Sequence, residues 1–285
     1  MLGDWGKDGD NKQQISVAQG MASYVEAGGF VPDAMFLLGD NFYGPFKGGV
    51  ECPRWKIQFS DVYPKSVFPG PCYAILGNHD YDEEPVTKLD AELAYAASSP
   101  GTRWNMPGKW YRMDIAGGAK PLMTVIALDS NYENEKVSLT AVERAEQLAW
   151  LKAELVKPRV APWLIVTGHH PLYSNGAHGD SPHLISDWDA LFREHKVHFY
   201  FCGHDHDLQH LEFDGHPTSF VISGAGGADV RDLRDTRRGP FSQSVAGFTH
   251  LEVTPEHFVV RHLDEKGRPL HGFAKSPDGA WRNLG

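Results

Sequence analysis

The sequence predicts an α/β fold, because short apolar runs alternate with stretches of helical periodicity and because polar clusters end those runs. The runs at 34–38, 72–76, 122–128, 163–167, 197–202 and 219–222 are rich in β-branched and aromatic residues and mostly bounded by Gly, Asp or Pro, the pattern of buried strands. Between them, 140–157 is the clearest helix, with Leu148, Leu151 and Leu155 recurring at three and four residues. Weaker helical patterns run over 13–27 and 184–195. Residues 249–253 and 258–261, separated by a Pro-Glu turn, predict a closing hairpin.

A chain of 285 residues with 41% hydrophobic and 22% charged residues has the material for a sizeable core. No repeat, low-complexity tract or linker divides it, so residues 1–285 read as one domain. The net charge of −10 argues against a nucleic-acid backbone or an anionic membrane as the main partner, since both call for a basic surface. An acidic chain still binds phosphate where metal cations supply positive charge locally, and the 15 histidines offer ligands for them. Cys52, Cys72 and Cys202 form no CxxC pattern and cannot all pair. Cys202 ends an apolar run and reads as a buried small hydrophobe, while the sequence leaves a bond between Cys52 and Cys72 open. No apolar run reaches the ~18 residues of a membrane span, and no signal peptide is visible in the opening residues.

The chemistry concentrates in five clusters. Gly3, Asp4, Trp5 and Gly6 open the chain; Gly39, Asp40, Asn41, Phe42 and Tyr43 follow Leu38; Gly77, Asn78, His79 and Asp80 follow Leu76. Gly168, His169, His170 and Pro171 follow Thr167, and Gly203, His204, Asp205 and His206 follow Cys202. Alone, a Gly-Asp after a strand is more often a turn than a ligand, because Asp caps turns through its own backbone. His204 and His206 alone read equally as surface histidines. All five in order, each at a strand end, converge on one sheet edge and together read as a metal site.

The order GD, GDNxxY, GNHD, GHHP, GHDH resembles that of the calcineurin-like metallophosphoesterase superfamily, and within it the purple acid phosphatases of the small, tartrate-resistant acid phosphatase-like type. The likeness covers almost the whole chain, including 148–171 and 220–227. It implies a four-layer α/β/β/α sandwich, with two mixed β-sheets flanked by helices. It also implies two metal ions: iron(III) on Asp4, Tyr43 and His206, a divalent ion on Asn78, His169 and His204, and Asp40 bridging them. Most of the superfamily resembles Asp-x-His in the first cluster, whereas Gly6 stands at that third position here. Tyr43 replaces the imidazole with a hard phenolate suited to iron(III). The divalent ion stays open between iron(II), zinc and manganese, all of which accept amide and imidazole donors.

By the same resemblance, His79 faces the substrate as phosphate-orienting group and general acid, and His178 is the histidine near the leaving group. His170, His183, His210 and His216 read as structural or surface. Arg231, Arg234, Arg237 and Arg238 interleave with Asp229, Asp232 and Asp235 and read as a solvated charge run rather than a substrate-steering patch. The chain departs from the family in two places. Only Met1 and Leu2 precede the first Gly-Asp, and 131–138 is shorter than the loop covering the site in the mammalian type, which argues against regulation by cleavage there.

The implied activity is that of an acid phosphatase: hydrolysis of small phosphate monoesters by direct attack of a metal-bound hydroxide, with His79 and His178 assisting the departing alcohol. One alternative is a metallophosphodiesterase acting on nucleotide or cyclic-nucleotide diesters. Another is a non-catalytic binding module on the same fold, which would be expected to have lost ligands. Relatives with an iron(III) site imply a secreted, periplasmic or lysosomal-type compartment, although no disulfide framework accompanies it here.

Overall fold

The computed structural model describes residues 1–82, 88–98, 102–132, 139–234 and 238–285. Three short strands, β1 (Met35–Leu37), β2 (Cys72–Ala74) and β3 (Trp104–Asn105), pair in parallel. A seven-stranded mixed sheet comprises β4 (Tyr111–Ala116), β5 (Pro121–Ala127), β6 (Trp163–Thr167), β7 (Phe199–Cys202), β8 (Leu208–Leu211), β9 (Ser219–Ser223) and β10 (Phe241–Gln243), in the order β10-β8-β9-β7-β6-β5-β4. An antiparallel meander of β11 (Gly247–Val253), β12 (Phe258–Asp264), β13 (Pro269–Lys275) and β14 (Trp281–Asn283) completes the β structure.

The first residues of the chain join the smaller sheets. Met1 N donates to Thr249 O at 2.9 Å and Thr249 N returns to Met1 O at 3.0 Å. On the other side Leu2 N donates to Phe36 O at 3.0 Å and Leu38 N to Leu2 O at 2.9 Å. Met1 and Leu2 thus lie between β11 and β1, and the two smaller sheets act as one mixed layer facing the seven-stranded sheet.

The central strands are buried on both faces, which explains why they read as continuous apolar runs rather than alternating ones. Ile165, Phe199, Phe201 and Val221 share one core with Phe258, Val260 and Phe273 of the opposing layer and with Val17, Ala18 and Met21 of helix α1 (Lys12–Gly28). Their neighbours Leu164, Val166, Tyr200, Phe220 and Ile222 face a second core. Other elements supply its far side: Trp188 and Phe192, with Leu151 and Leu155. The leucines belong to the helix Ala141–Leu155, which Thr140 caps: Glu143 N donates to Thr140 Oγ1 at 3.2 Å and Thr140 N to Glu143 Oε2 at 2.9 Å. Such a box contributes about 1 kcal/mol. The predicted mixed α/β architecture, sheets flanked by helices, is the one observed.

Element limits differ in detail. The expected helix over 184–195 is three consecutive pieces, Pro182–Leu184, a π turn at Ile185–Asp189 and Ala190–Glu194. The closing hairpin is β11 and β12, and it continues into β13 and β14. Cys52, Cys72 and Cys202 are free and buried, so the open Cys52–Cys72 bond is not formed. Among the described residues no helix is long and apolar enough to cross a membrane. A cavity of about 740 Å³, lined by Met21, Phe30, Phe36, Met123, Phe248 and Leu251, lies where β1 and β5 begin. The polar clusters lie where the strands end.

Candidate metal centre

Backbone geometry sets the site first. Asp4, Asp40 and His204 hold φ of 58°, 49° and 69°, a left-handed conformation that costs a non-glycine residue about 1 kcal/mol or more. Each sits one residue beyond a glycine at a strand end, where the chain reverses and aims the side chain inward. Gly77 is required by close approach: a Cβ there would lie 2.2 Å from both N and Oδ1 of Asp40. Gly6 is required for the same reason. A Cβ on it would lie 1.9 Å from the carbonyl oxygen of Asn41, so the position where the wider superfamily resembles His has no room for a side chain.

The predicted residues then come together. Tyr43 Oη donates to Asp4 Oδ1 at 3.1 Å and lies 3.2 Å from His206 Nε2, which is itself 3.4 Å from Asp4 Oδ1. His169 Nε2 faces Asp40 Oδ1 at 3.4 Å and Asp4 Oδ1 at 3.9 Å. His204 Nδ1 contacts Asn78 Oδ1 at 3.1 Å, and His204 N donates to Asp4 Oδ2 at 2.9 Å. His79 N donates to Asp40 Oδ1 at 2.8 Å. One contiguous group therefore contains Asp4, Asp40, Tyr43, Asn78, His79, His169, His204 and His206. His178 stands beside it, with its ring 4.1 Å from that of His204.

The group fits metal ions on two observations. Donor atoms of Asp4, Asp40 and His169 lie within 4.8 Å of one another, all buried. His169 Nε2 is buried without a hydrogen-bond partner, while its Nδ1 contacts Leu38 O at 2.7 Å, so the ring is oriented with Nε2 aimed at the carboxylates. Among the described residues, neither Asp4 nor Asp40 is paired with a lysine or arginine. Their negative charge is felt by the neighbours. Burial and then Asp4 and Asp40 push the Tyr43 phenol well above its ordinary value. Burial opposes protonation of His169, yet Asp40 and Asp4 outweigh it and raise the ring to about 10. A bound cation reverses both trends, favouring phenolate and neutral imidazole.

Sequence reasoning missed the residues that lock the loops together. Asp80 accepts from Gly77 N at 2.8 Å, Asn41 N at 2.9 Å and Phe42 N at 3.1 Å, tying the second cluster to the third. Asn41 accepts from Trp5 Nε1 at 3.1 Å and donates to Ile75 O at 2.9 Å, tying both to the first. His79 Nδ1 contacts Asp82 Oδ2 at 2.8 Å, and burial, which lowers its pKa, is outweighed by Asp82 and Asp40. His170 contacts Ser130 Oγ at 2.9 Å, and burial with His169 lowers it to about 3, in keeping with a structural role. His210 and His216 are buried and bonded to Glu212 and Asp189.

The described arginines of the run stay solvent-accessible, as read, and two of them also brace a loop. Arg234 Nη2 donates to His178 O at 2.9 Å, and Arg238 donates to Asp180 and to Ser174 O at 2.7 Å, so both clamp the loop that carries His178. Arg237 and Asp235, and residues 133–138 of the shortened loop, lie outside the described residues.

The model of the family described as Calcineurin-like phosphoesterase matches residues 2–208, which hold the contiguous group from Asp4 to His206 and His178 beside it. The chain belongs to the calcineurin-like phosphoesterase family. Tartrate-resistant acid phosphatase type 5 of Oryctolagus cuniculus is 30% identical, over 94% of this chain and 87% of that protein. The solved structure of GAP50, the anchor in the inner membrane complex of Plasmodium, has a TM-score of 0.78 at 25% identity, covering 95% of this chain and 85% of that one. Purple acid phosphatase from yellow lupin (Lupinus luteus) has a TM-score of 0.71 at 17% identity, covering 96% of this chain and 52% of that one, a likeness of fold. As a calcineurin-like phosphoesterase with purple acid phosphatase relatives, the chain is a metal-dependent phosphoesterase.

Proposed function

We propose that this chain is an acid phosphatase that hydrolyses small phosphate monoesters at a two-metal centre. The observation that carries the reading is the convergence of Tyr43 Oη, Asp4 Oδ1 and His206 Nε2 within 3.4 Å beside the unpartnered His169 Nε2. Asp4, Tyr43 and His206 would hold iron(III), Asn78, His169 and His204 a divalent ion (iron(II), zinc or manganese), and Asp40 would serve both. Such ions supply the positive charge that binds phosphoryl oxygens and the acidity that activates the attacking water.

The protein's own groups do the rest. His79 is fixed at both ends, by its backbone N on Asp40 and its Nδ1 near Asp82, which leaves Nε2 to protonate the departing alkoxide. His178 stands on the leaving-group side, anchored by Asp205. The whole chain acts as one catalytic domain. The acid chemistry suits a secreted, periplasmic or lysosomal-type compartment.

Metal analysis followed by turnover of p-nitrophenyl phosphate against its bis-ester tests the reading. Two metals per chain with the monoester preferred is the expected result. A preference for the bis-ester makes the protein a phosphodiesterase. Full metal content without turnover of either makes it a binding module, closer in role to the Plasmodium anchor protein than to the phosphatases.

A further inference from the structure

We propose that Arg231 determines specificity by binding a second phosphate carried on the leaving group of the substrate, an inference that rests on the phosphatase reading above. Arg231 Nη1 lies 2.7 Å from His178 Nε2. Since the His178 ring is 4.1 Å from that of His204, the guanidinium stands one imidazole away from the proposed metal ligands, on the leaving-group side.

The polarity of that contact is fixed by Asp205, which is fully buried. Asp205 Oδ1 lies 3.1 Å from His178 N and 2.8 Å from His178 Nδ1, and Oδ2 accepts from the Ser174 hydroxyl. A carboxylate of this kind accepts and does not donate. His178 therefore carries its proton on Nδ1 and offers Nε2 as an acceptor to Arg231. The backbone of Arg231 is held as well: its N donates to His206 O at 3.3 Å, and its O accepts from Ser244 Oγ at 2.6 Å.

Arg231 differs from the arginines around it. The guanidinium groups of Arg234 and Arg238 bond the His178 loop, and Arg238 is neutralised by Asp180. Among the described residues the side chain of Arg231 bonds only to His178, and no carboxylate is among its partners. A guanidinium has five donors in a planar fork, so most of them stay available to a ligand. In a chain of net charge −10, a polyanion meets general repulsion, and a positioned arginine at the rim is the group that gives it a two-pronged, charge-assisted bond. A leaving group without charge gains nothing from it.

The test compares kcat/KM for inorganic pyrophosphate and p-nitrophenyl phosphate in the metal-loaded wild type, Arg231→Gln and Arg231→Lys. Arg231→Gln should lower the pyrophosphate-to-nitrophenyl ratio by about tenfold to a hundredfold, mainly through KM, as expected for a bond to a charged group. Arg231→Lys should recover part of it. An unchanged ratio overturns the proposal, including the case in which both substrates lose equally through disturbance of His178. If the metal-loaded wild type turns over neither compound, the phosphatase reading has failed on its own. Calorimetric titration with pyrophosphate then decides: weaker binding to Arg231→Gln sustains the role of Arg231, and equal binding removes it.

Discussion

The hydroxyl of Tyr43 lies 3.2 Å from Nε2 of His206. The first follows β1 of the smaller β layer and the second follows β7 of the seven-stranded sheet, so the contact exists only when both layers are assembled. Both atoms also reach Asp4 Oδ1.

This pairing makes colour a direct readout of the proposed iron(III). A phenolate on ferric iron absorbs visible light by charge transfer, so the oxidised protein should be coloured. Tyr43→Phe should bleach it, with most of the metal retained on Asp4, His206 and the other donors. A colourless wild type whose metal is zinc alone would remove iron from the assignment.

Gly6 and Asn41 set a second expectation. With a Cβ at 1.9 Å from Asn41 O, the first cluster cannot regain the superfamily histidine by substitution alone. Gly6→His should add no ligand, and even Gly6→Ala should destabilise by about 3 kcal/mol or more, the upper range for overpacking. Thermal melting measures this. A Gly6→Ala variant that melts with the wild type would show that the Asn41 carbonyl yields freely.

His79 should separate chemistry from metal binding. His79→Ala should keep the wild-type metal content and lower turnover by about two to four orders of magnitude, the range for an acid-base group. Alkyl phosphates, whose leaving groups need the proton, should suffer more than p-nitrophenyl phosphate. Equal losses on both would make His79 a phosphate-positioning group instead.

Much of this cluster was legible because each candidate ligand type ends an apolar run: the motif gave the residue, and the run gave its place at the sheet edge. Asp4, Asp40, His169, His204 and their companions were visible for that reason. Asp80 and Asn41 were not, since their work lies in bonds across loops to Phe42, Trp5 and Ile75 that no local spacing encodes. Arg231 was read only as part of a solvated charge run, and no spacing in the sequence pointed to the exposed contact its side chain makes with His178. The β8 strand escaped notice because Leu208, Gln209, His210 and Leu211 follow directly on the last cluster with polar residues in the middle. Those residues are buried all the same, and Gln209 and His210 are satisfied by Asp207 and Glu212.

The buried His210 belongs to a cluster of three histidines with His262 and His271, and that cluster predicts how acid unfolds the protein. His210 Nδ1 lies 3.0 Å from His271 Nε2 and its Nε2 lies 2.8 Å from Glu212 Oε1; the ring stacks on Phe273 at 3.5 Å. His262 accepts from Thr249 Oγ1 at 2.9 Å and donates to Gln209 O at 3.1 Å. Burial lowers all three, to about 3 for His210 and His262 and about 4 for His271; Lys275 adds to it at His210, and the histidines themselves add to it at the other two. The folded protein thus keeps these rings neutral, while the unfolded chain takes up protons near the ordinary value of about 6.5. Where the unfolded state binds more protons, stability rises with pH. The contribution is therefore fully present above about pH 6.5 and lost as pH falls toward 4 and 3. Melting temperature should fall steadily between pH 7 and pH 4.5. His262→Gln, whose amide can accept from Thr249 and donate to Gln209 without titrating, should melt with a shallower dependence on pH over that range. Parallel curves for the two proteins would place the acid sensitivity elsewhere, with the carboxylates of the metal site as the next group to test.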